Sequence, residues 1–253
     1  MENFVNKQSI VREIWGKSDT ILFIFAGASA EFALNKAVDW LYFTGKLPKD
    51  PLGRLFSTVK YARHIVFSEN DAAYQAINAI NTAHAHVENQ RGKSIPDWAY
   101  KDVLYMLIDY SIKAYELLER PLSNSEKQEV LNVFIKVGKG MRLENLPHSY
   151  LEFEVERAKH LQSNLAFGHY TKDLYKQYRK HLGIVRYSLL LETQILLLPE
   201  HARQLLRLRS FSLLKPILSI YKISRNLNLD SFIKNLLLPP AYKKDIEAMN
   251  YSA

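Results

Sequence analysis

Cysteine is absent from the 253-residue chain. Disulfides, thiolate metal ligands, iron–sulfur clusters and cysteine nucleophiles are therefore excluded, and a metal would have to be bound by other side chains. Glycine and proline are scarce, with nine of each, and they stand mainly between segments of helical periodicity. No segment shows the sustained alternation of apolar and polar residues that is typical of strands. These absences predict an all-α protein.

The chain also lacks an apolar run long enough to span a bilayer. Its most apolar segment, residues 21–34, contains Glu31 and is shorter than the roughly 20 residues that a spanning helix needs. The first residues do not show the apolar stretch and cleavage site of a signal peptide. We therefore expect a buried core helix here and a cytoplasmic protein, with association at a membrane surface as the alternative.

Two functional classes find no support in the sequence. It contains no G-x-S-x-G, no P-loop and no H-E-x-x-H motif, which argues against the hydrolases and transferases that use them. The formal net charge is +8, which would suit nucleic acid or an anionic membrane surface. No cluster of Lys and Arg forms a recognisable nucleic-acid motif, so we expect no nucleic-acid partner.

The composition is sufficient for a substantial core, because 47% of the residues are hydrophobic. We expect a single globular multi-helix domain over residues 1–210 and a helical extension over residues 211–253. The extension is apolar with scattered Lys and Arg. Three arrangements stay open for it: packing on the core, forming a homodimer interface, or lying on a membrane.

Caps, glycines and prolines predict where the helices begin and end. Asp19 and Asp71 are expected N-caps, and Ser123 with Glu126 has the spacing of a capping box. Residues 48–53 are expected to form a loop. The expected helices are 19–37, 54–67, 71–89, 101–118, 123 to about 138, 149–161, 171–182, 185–198 and 200–208.

One histidine falls on an apolar helix face. At about 100° per residue, His84 shares a stripe with Ala73, Ile77, Ile80 and Val87, whereas His86 points to nearly the opposite side. A histidine in such a stripe is commonly a core residue satisfied by one hydrogen bond. It is equally suited to be a haem axial ligand, because a neutral imidazole offers a nitrogen lone pair.

The preceding helix carries Arg54 and, one turn later, Thr58. The ordinary interpretation is a surface ion pair for Arg54 and a tolerated core threonine. The functional interpretation is a cationic and hydroxylic pair directed into an apolar cavity, where it would bind an anionic group or stabilise developing negative charge. Tyr61, three residues past Thr58, is a further candidate for lining the same pocket.

The order of these residues resembles a known family, the MpaB/latex-clearing-protein group of haem oxygenases (DUF2236). The resemblance covers about Trp15 to Leu208. Its central motif is D-P-x-G-R-x-x-x-T, which runs from Asp50 to Thr58, and an H-x-x-V motif follows at His84 and Val87.

The resemblance implies an all-α fold with a buried pocket for non-covalent haem b. His84 would be the proximal iron ligand, and Arg54 and Thr58 would lie by the haem on the distal side. Members cleave carbon–carbon double bonds of isoprenoid chains with dioxygen, so the resemblance implies dioxygen and an apolar, isoprenoid-type substrate.

The sequence also departs from the family pattern. Ser57 stands where latex-clearing proteins carry a lysine that can coordinate the iron, although Lys60 is nearby. No acidic residue aligns with the distal glutamate, and Glu31 and Asp39 are only nearby acids. Two alternatives therefore stay open: a non-catalytic haem or lipid carrier, and a membrane-surface interaction protein. His64 and His148 are secondary candidates for contacts with the haem periphery.

Overall fold

The computed structural model describes residues 2–226, and all of its regular secondary structure is helical, with no strand in that range. The predicted all-α class is confirmed. The helices are α1 (Ile10–Trp15), α2 (Ser18–Leu34), α3 (Val38–Phe43), α4 (Lys46–Lys49), α5 (Pro51–Phe67), α6 (Asn70–Arg91), α7 (Asp97–Leu118), α8 (Asn124–Gly140), α9 (Tyr150–Asn164), α10 (His169–Leu197), α11 (Glu200–Leu205) and α12 (Leu214–Asn226).

Helix α2 forms the centre of the molecule and packs mainly against α7 and α10. Nearly all of its residues are buried, as expected for a helix that is apolar on every side. The absence of a side chain at Gly27 allows close packing, because a Cβ there would lie 2.4 Å from the Tyr110 ring of α7. The predicted core helix is therefore confirmed.

The helix boundaries differ from the predicted caps at two places. Ser123 and Glu126 form the expected capping box at the start of α8. In contrast, the N-cap of α2 is Lys17 and that of α6 is Glu69. The predictions of Asp19 and Asp71 as N-caps were therefore wrong, since both lie inside the first turn of their helices. Asp19 instead accepts a hydrogen bond from the Tyr221 hydroxyl at 3.0 Å.

The segment before Arg54 is more helical than predicted. Residues 46–49 form the short helix α4, and α5 begins at Pro51 rather than at Arg54. Asp50 is the N-cap and accepts a hydrogen bond from the Gly53 amide at 2.8 Å. Proline suits the first helical position because its missing N–H would be unpaired there anyway. Arg54 therefore lies in the first turn of a helix that is already capped.

The carboxyl-terminal part contains the predicted break between two helices. Gly183 has a non-helical backbone, with φ of 71° and ψ of 174°, and divides α10 into two helical segments. Helix α12 contacts α10, and its residues Leu218 and Tyr221 are buried. The remainder of the predicted extension, residues 227–253, lies outside the described residues. Within residues 2–226, no helix is both long enough and apolar enough to cross a membrane.

Candidate functional site

His84 lies half-buried on α6, and its Nδ1 atom is buried without a hydrogen-bond partner among the described residues. Its ring packs against the Tyr100 ring of α7 at a centroid distance of 5.0 Å. Burial lowers the pKa of His84, the nearby Arg54 cation lowers it further, and Glu88 opposes both effects. The imidazole is therefore neutral at physiological pH, which is the form that can bind a metal.

His86 differs from His84 as the helical phase predicts. His86 is exposed, whereas the stripe that contains His84 begins at the buried residues Ala73 and Ile77. Of these two histidines, only His84 lies on the partly buried side of α6.

Arg54 lies close enough to His84 for its charge to act on the imidazole. The side chain is partly buried, and burial lowers its pKa. One hydrogen bond runs from Nη1 to the Ser57 hydroxyl at 3.1 Å. No carboxylate among the described residues lies within ion-pair distance of it. A cation removed from water without a counter-charge is unfavourable, so this arrangement suits an anionic or strongly polar ligand.

Thr58 connects this cationic position to an apolar crevice between α2, α5 and α7. Its hydroxyl donates to the Arg54 carbonyl oxygen at 3.3 Å, and the exposed wall of the crevice has no polar atoms, so Thr58 contributes its methyl group. The crevice is small: its cavity volume is about 10 Å³, which is room for about one water molecule. Its lining comprises Ile24, Phe25, Ala28, Phe32, Thr58, Val59, Val103, Met106 and Leu107.

Glu88 fixes the segment that follows His84. Its carboxylate accepts hydrogen bonds from the Ile95 amide at 2.7 Å and from the Tyr100 hydroxyl at 3.2 Å. Glu88 lies four residues after His84, and such residues share one helix face. The same carboxylate thus positions the ring that packs against His84.

Asp39 and Arg91 form an ion pair that the sequence did not indicate. Arg91 lies at the end of α6, and its Nη2 donates to Asp39 Oδ2 at 2.5 Å. The guanidinium lies over the Trp40 ring, 4.0 Å from its centroid. The two partners are separated by 52 positions, so only the fold brings them together.

The secondary candidates lie in several environments. Glu31 is buried and bonded to Arg157 and Tyr110, far from free to act as a base. Tyr61 is 45% exposed and close enough to Arg54 to affect its pKa. Three further candidates are exposed: Lys60, His64 and His148.

His160 is part of a buried polar cluster. Its Nδ1 lies 2.5 Å from Asp102 Oδ1, and Asp102 also accepts hydrogen bonds from Asn35 and Asn164. The cluster joins the ends of α2 and α9 to α7. Sequence spacing offers no signal for it, since Asp102 and His160 are 58 positions apart.

The protein side chains alone do not form a metal centre in the part of the chain that the structure describes. No group of three or more His, Asp or Glu residues is placed to bind an ion there. A porphyrin supplies four nitrogen ligands itself, so a single histidine is enough to hold its iron. Neutral His84 with an unpartnered ring nitrogen fits that requirement.

Comparison with known families gave one match over most of the chain. The model described as "ER-bound oxygenase mpaB/B'/Rubber oxygenase, catalytic domain" matches residues 16–216. That range includes Arg54, Thr58 and His84. Comparisons with curated proteins and with solved structures gave no match.

Proposed function

The chain belongs to the mpaB/rubber oxygenase catalytic-domain family, and from this premise we propose that it is a haem b-dependent oxygenase acting on an apolar, isoprenoid-type substrate with dioxygen. Membership supports an oxygenase; the haem and the substrate class are our proposal. One observation carries it: a neutral imidazole with an unpartnered buried nitrogen lies beside a cation that has no carboxylate partner among the described residues.

His84 would hold the iron, since α6 presents it on the buried side and its depressed pKa keeps the ring nitrogen deprotonated. Haem, when bound, supplies the chemistry of dioxygen activation. Arg54 would stabilise negative charge, because its guanidinium donates few hydrogen bonds within the protein. Ser57 positions Arg54 through their 3.1 Å hydrogen bond.

The apolar crevice supports the substrate class. It starts at Thr58, one helical turn from Arg54, and its wall presents only carbon-bound surface. Such a wall favours hydrocarbon over polar ligands, because burying an unpaired polar group is unfavourable. An isoprenoid chain would lie against this wall after the surrounding side chains had moved apart, because the crevice itself has room for only about one water molecule.

Absorption spectra of three proteins test the haem proposal. Wild-type protein reconstituted with haem should show a Soret band, His84→Ala should lose it, and His86→Ala should retain it. His86 is the matched control because it lies two residues away on the exposed side of α6. A wild-type protein without a Soret band after haem addition would refute the proposal.

Oxygen consumption then separates an oxygenase from a haem or lipid carrier. The reconstituted protein should consume dioxygen when an unsaturated isoprenoid is added, and not when its saturated analogue is added. Haem binding without such consumption would favour the carrier.

Association with an anionic membrane surface is a second candidate function. Residues 169–226 hold eleven Lys or Arg and three Asp or Glu, so this segment carries a formal charge of +8, equal to that of the whole chain. The same segment exposes large apolar side chains on and before α12, namely Phe211, Leu213, Ile217 and Ile220. Exposed apolar residues in a basic segment are typical of membrane-surface helices.

Flotation with vesicles tests this candidate. The protein should float with vesicles containing anionic phosphatidylserine and less with vesicles of neutral phosphatidylcholine, and Ile217→Ser with Ile220→Ser should abolish flotation. A homodimer through the same residues would instead show a doubled mass in light scattering that the double variant halves. Unchanged flotation of the double variant would refute the membrane contact.

A further inference from the structure

The guanidinium of Arg91 is fixed by contacts on one side, while one of its nitrogen donors has no partner among the described residues. Its Nη2 is paired with Asp39, and its guanidinium lies over the rings of Trp40 and Phe43, 4.0 and 5.5 Å from their centroids. In contrast, Nη1 is buried and has no hydrogen-bond partner among the described residues. The carboxylate partner therefore satisfies only part of a donor group that has five N–H bonds.

The stacked and paired geometry restricts where the remaining donor can point. A guanidinium is planar, and its N–H bonds lie in that plane. With the face over Trp40 and one edge on Asp39, Nη1 cannot reorient without losing contacts on either side. A buried donor without a hydrogen-bond partner is unfavourable. Because Nη1 cannot turn towards another group of the protein, it is suited to donate a hydrogen bond to a ligand.

Arg91 also lies on the same face of α6 as His84. Seven residues along a helix correspond to a rotation of about 20° from the starting direction and to a rise of about 10 Å. Glu88 lies between them on this face and is occupied by Ile95 and Tyr100. The donor of Arg91 and the ring nitrogen of His84 are therefore both unpartnered along one stripe of one helix.

We propose that Arg91, held by Asp39 and Trp40, binds one carboxylate of the porphyrin through Nη1. This inference rests on the proposed haem site. Arginine is well matched to a carboxylate because charge-assisted hydrogen bonds from its planar fork are strong and directional. The rival explanation is that Arg91 only clamps α6 to α3.

Haem and its dimethyl ester provide the test, because the ester replaces the two charged carboxylates with neutral methyl esters. Wild type, Arg91→Gln and Lys93→Gln are titrated with each porphyrin in the same detergent buffer, and the Soret band reports the dissociation constant. Lys93 is the matched control, since it is exposed and its substitution removes the same charge two residues away.

The expected result is selective. Arg91→Gln weakens haem binding by roughly tenfold or more and leaves binding of the dimethyl ester within about twofold of wild type. Lys93→Gln changes neither. Arg91→Lys keeps the charge without the fork, and it should bind haem less tightly than wild type while binding the dimethyl ester as wild type does. It serves as the test if the glutamine variant does not fold.

Three results would overturn the inference. Equal weakening of both porphyrins by Arg91→Gln would assign Arg91 to the clamp alone, and unchanged haem binding would exclude a contact. In either case wild type still binds haem, so the proposed function survives. Wild type that binds neither porphyrin would refute the proposed function and this inference together.

Discussion

Arg157 of α9 lies against Glu31 of α2 in the interior, with Nη2 donating to Oε1 at 2.5 Å and with only 6% and 2% of the two side chains exposed. The same guanidinium donates to Asp109 of α7 through Nε and Nη2, at 3.2 and 3.1 Å. One cation thus joins three helices, and one of them is the core helix α2. Burial alone would lower the pKa of Arg157, but the carboxylates of Glu31 and Asp109 together raise it above its ordinary value.

Arg157→Met should therefore destabilise the protein strongly. The substitution leaves two buried carboxylates, and breaking a buried ion pair at one partner costs about 3–5 kcal/mol. The free energy of unfolding in urea measures the effect. Arg179→Met is the control, because Arg179 is exposed on α10, and it should leave the unfolding midpoint unchanged. A cost for Arg157→Met below about 1 kcal/mol would contradict the role given to this cluster.

The capping box of α8 predicts that the stability of the protein depends on pH. Hydrogen bonds from Arg120 and from Ser123 lower the pKa of Glu126 to about 2, from an ordinary value of 4.5. Since the folded carboxylate binds a proton less readily than the unfolded one, its stabilisation is present above about pH 4.5 and is lost as the pH falls towards about 2.

Urea unfolding of wild type and Glu126→Gln at about pH 6 and about pH 2.5 checks this dependence. The difference in stability between the two proteins should be full at the higher pH and should nearly close at the lower one. Glu144→Gln, at an exposed position of a loop, should show no such convergence. A gap that stays constant with pH would contradict the assignment.

Local periodicity was enough to distinguish the two neighbouring histidines of the candidate site. A rotation of 100° per residue separates His84 from His86 whatever the rest of the chain does, and the burial of the two residues follows it. The all-α class and the capping box of Ser123 and Glu126 are local in the same sense, because they depend on residues within one helix.

The remaining parts depend on contacts that no local pattern encodes. Asp39 meets Arg91 across 52 positions, and the charge of Arg54 acts on His84 across a helix boundary. The short helices α3 and α4 were missed because helices of four to six residues owe their stability to packing rather than to propensity. The partners of Arg91 and of Arg54 therefore could be identified only from the folded structure.

The apolar crevice predicts how substrate recognition can be separated from haem binding. Ala28 lies on its α2 wall, so Ala28→Leu should close the crevice. We expect the KM for an unsaturated isoprenoid to rise by roughly tenfold, with an unchanged Soret band. Ala166→Leu, at an exposed position, is the control. An unchanged KM in a variant that still binds haem would exclude the crevice as the substrate site.

Removal of the Arg54 charge should stabilise the haem-free protein and weaken haem binding. The guanidinium is partly buried and lacks a carboxylate partner among the described residues, and burial lowers its pKa. Arg54→Met keeps most of the side-chain volume and removes the charge. The haem-free variant should therefore be more stable than wild type, by about 1 kcal/mol or more, since functional sites are commonly held at a cost in stability.

The same substitution should weaken haem binding, because the anionic group that Arg54 would stabilise loses its counter-charge. Thermal unfolding of the haem-free proteins and Soret titration of the same samples measure the two effects side by side. Arg179→Met removes a charge from the surface and should change neither. If haem-free Arg54→Met unfolds earlier than wild type, the cation is structural; if it binds haem as tightly as wild type, the cation does not contact the ligand.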